Sequence, residues 1–130
     1  MAERFKRIRA LLGDTAMEKL QNATVMVVGC GAVGSFAVEA LARSGIGNIV
    51  VVDFDTVEES NINRQLFALS STVGAPKVDV AAARIRDINP NAVVTPIKMF
   101  WDNKSNVSVR PDFVIDAIDT VESKIALYGW

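Results

Sequence analysis

Apolar and polar positions alternate with two different periods along this chain. Thr24-Val25-Met26-Val27-Val28 is a short apolar, β-branched run and reads as a strand. Gly29-Cys30-Gly31-Ala32-Val33-Gly34 follows at once, and then Val33, Phe36, Ala37, Ala40 and Leu41 recur at helical spacing up to Gly45. A second apolar strand, Ile49 to Val52, ends in Asp53. Val78, Ala81, Ala82, Ile85 and Ile88 form the apolar stripe of another helix, with Pro76 in its first turn and Asn89-Pro90 at its end. Ala92 to Ile97 and Phe113 to Ala117 read as third and fourth strands, and Glu122 to Tyr128 as a helix whose apolar positions are Ile125 and Tyr128. Met99 to Arg110 is poorly patterned: Phe100 and Trp101 are expected to pack, with a short helix possible after Asn103. Ahead of all this, Arg4 to Leu12 predicts a helix with Phe5, Ile8 and Leu12 on one side. Gly13 breaks it, and Asp14 or Thr15 can cap a second short helix through Leu20, with Met17 and Leu20 as its apolar contacts. Strands alternating with helices predict an α/β, Rossmann-like fold: a mostly parallel sheet with helices on both faces, preceded by a short helical N-terminal segment.

Composition narrows the function. The chain has 130 residues, half of them apolar, enough for one domain with a real core. A net charge of −1 argues against a broad polyanion-binding surface. A single cysteine excludes an internal disulfide and a complete cysteine-based zinc site, and the lack of histidine removes that residue as acid, base or ligand. There is no membrane-length apolar run and no signal-peptide core, so the default expectation is a cytoplasmic protein.

The chemistry concentrates after the first strand. In a strand, glycine turn, helix order, Gly29-x-Gly31-x-x-Gly34 lets the backbone turn sharply and admits a phosphate against bare N–H groups at a helix N-terminus. Asp53 falls about 20 residues past the last glycine, where a carboxylate accepts from ribose hydroxyls. Together these point to a nucleotide site; a tight turn without a ligand is the weaker alternative. The polar stretch from Asp53 to Gln65 leaves the carboxyl end of a strand, the edge where open α/β sheets bind ligands. Asn61 and Arg64 would share one side of a helical turn. Arg64 either pairs with Glu58 or Glu59 or aims its guanidinium at nucleotide phosphates. Lys77 stands against the dipole at its helix start, either solvated or held for an anionic ligand. Asp119 either caps the helix near Val121 or is a Mg²⁺ ligand. Arg4, Lys6, Arg7 and Arg9 form a solvated face from which one arginine could reach a phosphate in a neighbouring subunit. Cys30 suits packing inside the loop better than nucleophilic attack.

With these residues in place, together with Asp53-x-Asp55, Ser60-Asn61-x-x-Arg64-Gln65 and the downstream Lys77, the chain resembles the ThiF/MoeB/HesA family, bacterial relatives of ubiquitin-activating enzymes. Arg43 to Gly47, Asn63 to Leu69, Arg84 to Pro90 and Val114 to Val121 look most like the tRNA threonylcarbamoyladenosine dehydratase branch. Activators of sulfur carriers usually have Thr-Asp-Asn where Ile118-Asp119-Thr120 stands here. The resemblance implies ATP- and Mg²⁺-dependent adenylation of a substrate carboxylate, carried either by modified tRNA or by a ubiquitin-like sulfur-carrier protein. It implies Arg64 and Lys77 as phosphate cations, Asp119 as magnesium ligand and Asp53 as ribose acceptor. It implies that Gly29, Gly31, Ala32, Gly34, Asp55, Asn61 and Gln65 support the nucleotide. It also implies a homodimer in which Arg7, or Arg4 or Arg9, reaches the partner's nucleotide. Family members continue past this length with a second half that receives the substrate, so the 130 residues are expected to be the nucleotide-binding part of a longer protein. A NAD-dependent dehydrogenase would account for Gly29 to Asp53 but leave Arg64, Lys77 and Asp119 without a shared role. A nucleotide-binding module without catalysis is the remaining alternative.

Overall fold

The computed structural model describes residues 3–130. A four-stranded, all-parallel sheet runs in the order β3-β2-β1-β4, with β1 Thr24–Val28, β2 Asn48–Asp53, β3 Val93–Lys98 and β4 Phe113–Asp116. Central β1 and β2 are covered on both faces, which is why their sequences are continuous apolar runs rather than alternating ones. Pro96 sits in β3, an edge strand, where a missing N–H costs no ladder bond on the open side.

Helices α3 (Ala32–Arg43) and α4 (Lys77–Ile88) cover one face, packing Val38, Ala42, Val78, Ala81 and Ile85 onto Val25, Val27, Ile49 and Val51. Helix α5 (Val121–Tyr128) and the 99–109 segment cover the other, where Trp101 and Leu127 meet Met26, Val28, Val50 and Val52. Two short helices, α1 (Lys6–Leu12) and α2 (Asp14–Asn22), precede the sheet and are anchored by buried Phe5 and Met17. The expected doubly covered α/β architecture is present, with the N-terminal helical segment.

Several local expectations are corrected. Leu12 is half exposed, and α1 buries none of its own residues. Neither Asp14 nor Thr15 caps α2; Gly13 takes the cap position with φ 88° and no side-chain bond. Val33 and Phe36 are 68 % and 56 % exposed, and α3 instead buries Gly34, Ser35, Val38 and Ala42, small residues that let it approach the sheet closely. α5 likewise buries Ser123 and Leu127 and exposes Ile125 and Tyr128. No helix forms between Asn103 and Arg110; Asp102 and Ser105 close turns there by side-chain bonds to the backbone. The α4 stripe is as expected, except that Pro76 precedes the helix as its cap residue.

α3 and α4 are clamped by Glu39, which accepts from Arg84 Nε at 2.9 Å and Nη2 at 2.6 Å. The Arg84 hydrogen bonds outweigh partial desolvation and hold the Glu39 carboxyl below the usual range, while Glu39 in turn raises Arg84. A depressed carboxylate stabilises the fold above its unfolded pKa and loses that contribution as pH falls through its folded value. Glu39→Gln is therefore expected to lower stability by about 1 kcal/mol at pH 7. The deficit should begin to shrink as pH falls below the unfolded carboxylate value of about 4.3 and vanish only below the lowered folded value. Urea unfolding at neutral and acid pH checks this, and a deficit that does not change with pH would refute it.

Candidate nucleotide site

A cleft of about 410 Å³ opens at the carboxyl edge of the sheet. It lies beside the β1/β4 boundary, where the chain order reverses and open α/β sheets place their ligands.

The glycine loop builds its floor. Gly29 adopts φ 102°, and a Cβ there would stand 2.4 Å from the Ala117 carbonyl oxygen, so both backbone shape and space require glycine. α3 begins at Ala32 with Gly31 at the cap and no side chain closing it, so the N-terminal N–H groups and positive dipole end face the cleft. Asp53 braces the loop: one carboxylate oxygen accepts the Cys30 N–H at 2.7 Å and the other the Asp55 N–H at 2.8 Å. Cys30 is buried beneath the loop. Desolvation, then the Asp53 charge, push its thiol up to about 12 against the opposing pull of Lys77, so it is no nucleophile at neutral pH.

The cations come from the segment after β2. Lys77 is only 7 % exposed at its side chain, yet it lines the cleft with Nζ 3.7 Å from Asp55. Its N–H donates to the Asp55 carbonyl, which fixes the start of α4 beside the end of β2. Arg64 is exposed and lines the same cleft. It forms no ion pair with Glu58 or Glu59; its Nη1 donates to the Ser60 carbonyl at 3.0 Å and to Asn63 Oδ1 at 2.9 Å. Asn61 shapes this turn by accepting the Glu58 N–H, and Gln65 stands over Gly31. On the far wall, Asp119 is exposed and does not cap α5, where Thr120 takes the cap position without a side-chain bond.

Of the residues singled out from sequence, Gly29, Gly31, Ala32, Asp53, Asp55, Asn61, Arg64, Gln65, Lys77 and Asp119 all line this one cleft. Gly34 does not. It lies beneath, where a Cβ would be 1.6 Å from the Gly29 carbonyl oxygen, so its part is packing rather than ligand contact.

Sequence reasoning missed two parts of the wall. Phe54 and Phe100 meet edge-to-face with centroids 5.0 Å apart beyond Asp53, and with Met99 they make an apolar ledge. Their positions directly after β2 and β3 were the available signal. The second part is Asp116, Ser123 and Lys124 on the α5 side. Asp116 is charged despite partial burial, which works against it. Hydrogen bonds from Lys124, Tyr128 and the Ile118 N–H outweigh that cost and hold its carboxyl below the usual range.

Residues 5–130 match the ThiF family model. The chain belongs to the ThiF family. It is 51 % identical to the tRNA threonylcarbamoyladenosine dehydratase of Bacillus subtilis, over 98 % of this chain and 51 % of that one. The crystal structure of Escherichia coli tRNA N6-threonylcarbamoyladenosine dehydratase, TcdA, in complex with ATP superposes with a TM-score of 0.94 at 45 % identity, covering 96 % of this chain and 53 % of that one. The molybdopterin-synthase adenylyltransferase of Escherichia coli is 38 % identical over 80 % of this chain and 43 % of that one. The chain thus spans about half the length of the curated relatives it matches. No helix among the described residues is long and apolar enough to cross a membrane.

Proposed function

We propose that this chain is the nucleotide-binding part of an ATP-dependent adenylating enzyme that dehydrates threonylcarbamoyladenosine in tRNA. The observation that carries the reading is the convergence of Arg64, Lys77 and the open N-terminus of α3 on one cleft that also holds Asp53 and Asp119. In adenylation a substrate carboxylate oxygen bonds to the α-phosphorus while the α–β bridging P–O bond breaks and pyrophosphate leaves. The attacking carboxylate is already ionised, so the site needs preorganised positive charge more than a base. Lys77, held nearly buried, and the multi-donor fork of Arg64 supply it on the phosphates. Asp53 faces the ribose, and Phe54 and Phe100 offer the base an apolar surface. The acyl-adenylate then closes its ring and expels AMP, a net loss of water.

A magnesium ion fits this donor set only in company with the nucleotide. No group of acidic or sulfur ligands large enough to cage a metal exists among the described residues, whereas Mg²⁺ bound to phosphates takes one or two carboxylates. Asp119 would be that ligand, and the ion would neutralise phosphate charge. The relatives differ in their named reactions, and the dehydratase at 51 % identity favours modified tRNA over a sulfur-carrier protein. In a homodimer the arginine reaching the partner's nucleotide would be Arg7, or Arg4 or Arg9; Arg4 donates to the Ile88 carbonyl and Arg9 lies 3.7 Å from Asp14.

Calorimetric titration with Mg·ATP and, separately, NAD⁺ tests the reading. Heat with ATP alone supports it; NAD⁺ binding with no ATP signal overturns it in favour of a dehydrogenase.

A further inference from the structure

The carboxylates around the cleft are not equivalent. Asp55 faces Lys77, and Asp53 is held by backbone N–H groups. Asp116, 15 % exposed at its side chain, holds Lys124 Nζ at 2.9 Å. Asp119 meets neither a cation nor a backbone donor among the described residues; the Thr120 hydroxyl at 3.5 Å is its one bond. A bare carboxylate in a cleft lined by cations is unusual because the nearest ammonium should claim it. The ammonium that could do so is Lys124, five residues on in the first turn of α5, close enough for the Asp119 charge to act on it.

Asp116 prevents that pairing. It ends β4 opposite Val28, so it is fixed by the sheet ladder itself. Its Oδ1 accepts the Ile118 N–H at 3.0 Å and closes the turn that carries Asp119 outward. Its Oδ2 accepts from Lys124 and, at 2.7 Å, from the Tyr128 hydroxyl, two residues stacked on one side of α5. The turn cannot slide toward the glycine loop, because the Ala117 carbonyl already lies against Gly29. We propose that Asp116 is a positioning residue that keeps Lys124 off Asp119, leaving Asp119 free to take the divalent cation that accompanies the nucleotide phosphates. This rests on the nucleotide reading above. It adds a role for a carboxylate that touches neither phosphate nor metal, and for a lysine whose charge must be kept out of the way.

The test is the Mg²⁺ dependence of ATP binding by this chain, followed calorimetrically with Mg²⁺ varied against EDTA, with thermal melting of every variant alongside. Asp116→Asn is expected to raise the Mg²⁺ concentration that half-tightens ATP binding by roughly tenfold, the scale of losing a group that orients a metal ligand. The informative variant is Asp116→Asn with Lys124→Met. Removing the competing ammonium should return the Mg²⁺ midpoint to near the wild-type value even though the clamp is gone. Lys124→Met alone should leave the midpoint no higher than wild type, and it keeps the idea testable if Asp116→Asn does not fold. A double variant as demanding of Mg²⁺ as Asp116→Asn, or a raised midpoint in Lys124→Met, would show that the pair merely supports the fold and would overturn the proposal. An unchanged midpoint in Asp116→Asn would do the same. Failure of the wild-type chain to bind ATP at any Mg²⁺ concentration would instead strike the nucleotide reading, and this proposal with it.

Discussion

Arg64→Ala is expected to weaken Mg·ATP binding about a hundredfold, close to 2.7 kcal/mol. Charge-assisted hydrogen bonds to phosphate are worth roughly 1.5–3 kcal/mol each, and a guanidinium can make more than one. The fold should not notice the change: the side chain is exposed and, among the described residues, its bonds go to the Ser60 carbonyl and Asn63. Arg64→Lys should recover part of the loss, because it keeps the charge but not the fork. Calorimetry on the three proteins with matched melting curves decides the matter. Binding of Arg64→Ala within twofold of wild type would remove Arg64 from the site and, with it, the strongest argument for adenylation over dinucleotide binding.

Gly34→Ala should have the opposite signature, a large loss of stability with no ligand needed to see it. The added methyl would fall 1.6 Å from the Gly29 carbonyl oxygen, and main chain cannot swing aside as a flexible side chain can. Relief requires α3 to lift from β1, exposing Val38 and Ala42, which pack into the core on that face. A penalty of about 4 kcal/mol belongs to the small class of changes that break close packing. The comparison is Gly31→Ala, whose methyl would meet only the Gln65 amide at 3.6 Å. That variant should melt near the wild-type temperature yet bind ATP less well, since the methyl enters the space above the loop. Equal melting temperatures for the two variants would contradict this division of labour between glycines only three positions apart.

That division was not legible in the sequence, where all three glycines read as one motif, although the motif's place was. β1 and β2 are covered on both faces, so their apolar runs could hardly be anything else, and the α4 stripe has its hydrophobic side defined by large residues. The cations and acids were found because chain order alone puts the ends of β1, β2 and β4 on one edge. What misled was helix facing. In α3 the buried side carries Gly34 and Ser35, and Ser35 is fully buried because its hydroxyl accepts the Leu66 N–H at 3.1 Å. A period of 3.6 fits the opposite face equally well when size rather than polarity decides. The same ambiguity turned α5 around. The Asp116 clamp was invisible for another reason: it joins a strand end to a helix eight and twelve residues on, through contacts that only the packed turn creates.

The lone thiol has a practical use. Cys30 lies sealed at the centre of the glycine loop, and its high pKa keeps it unreactive there. Alkylation must therefore wait for the loop to lift, which makes the labelling rate a clock for local opening. A ligand that clasps the loop should slow the clock, and no engineered cysteine or probe is needed to read it.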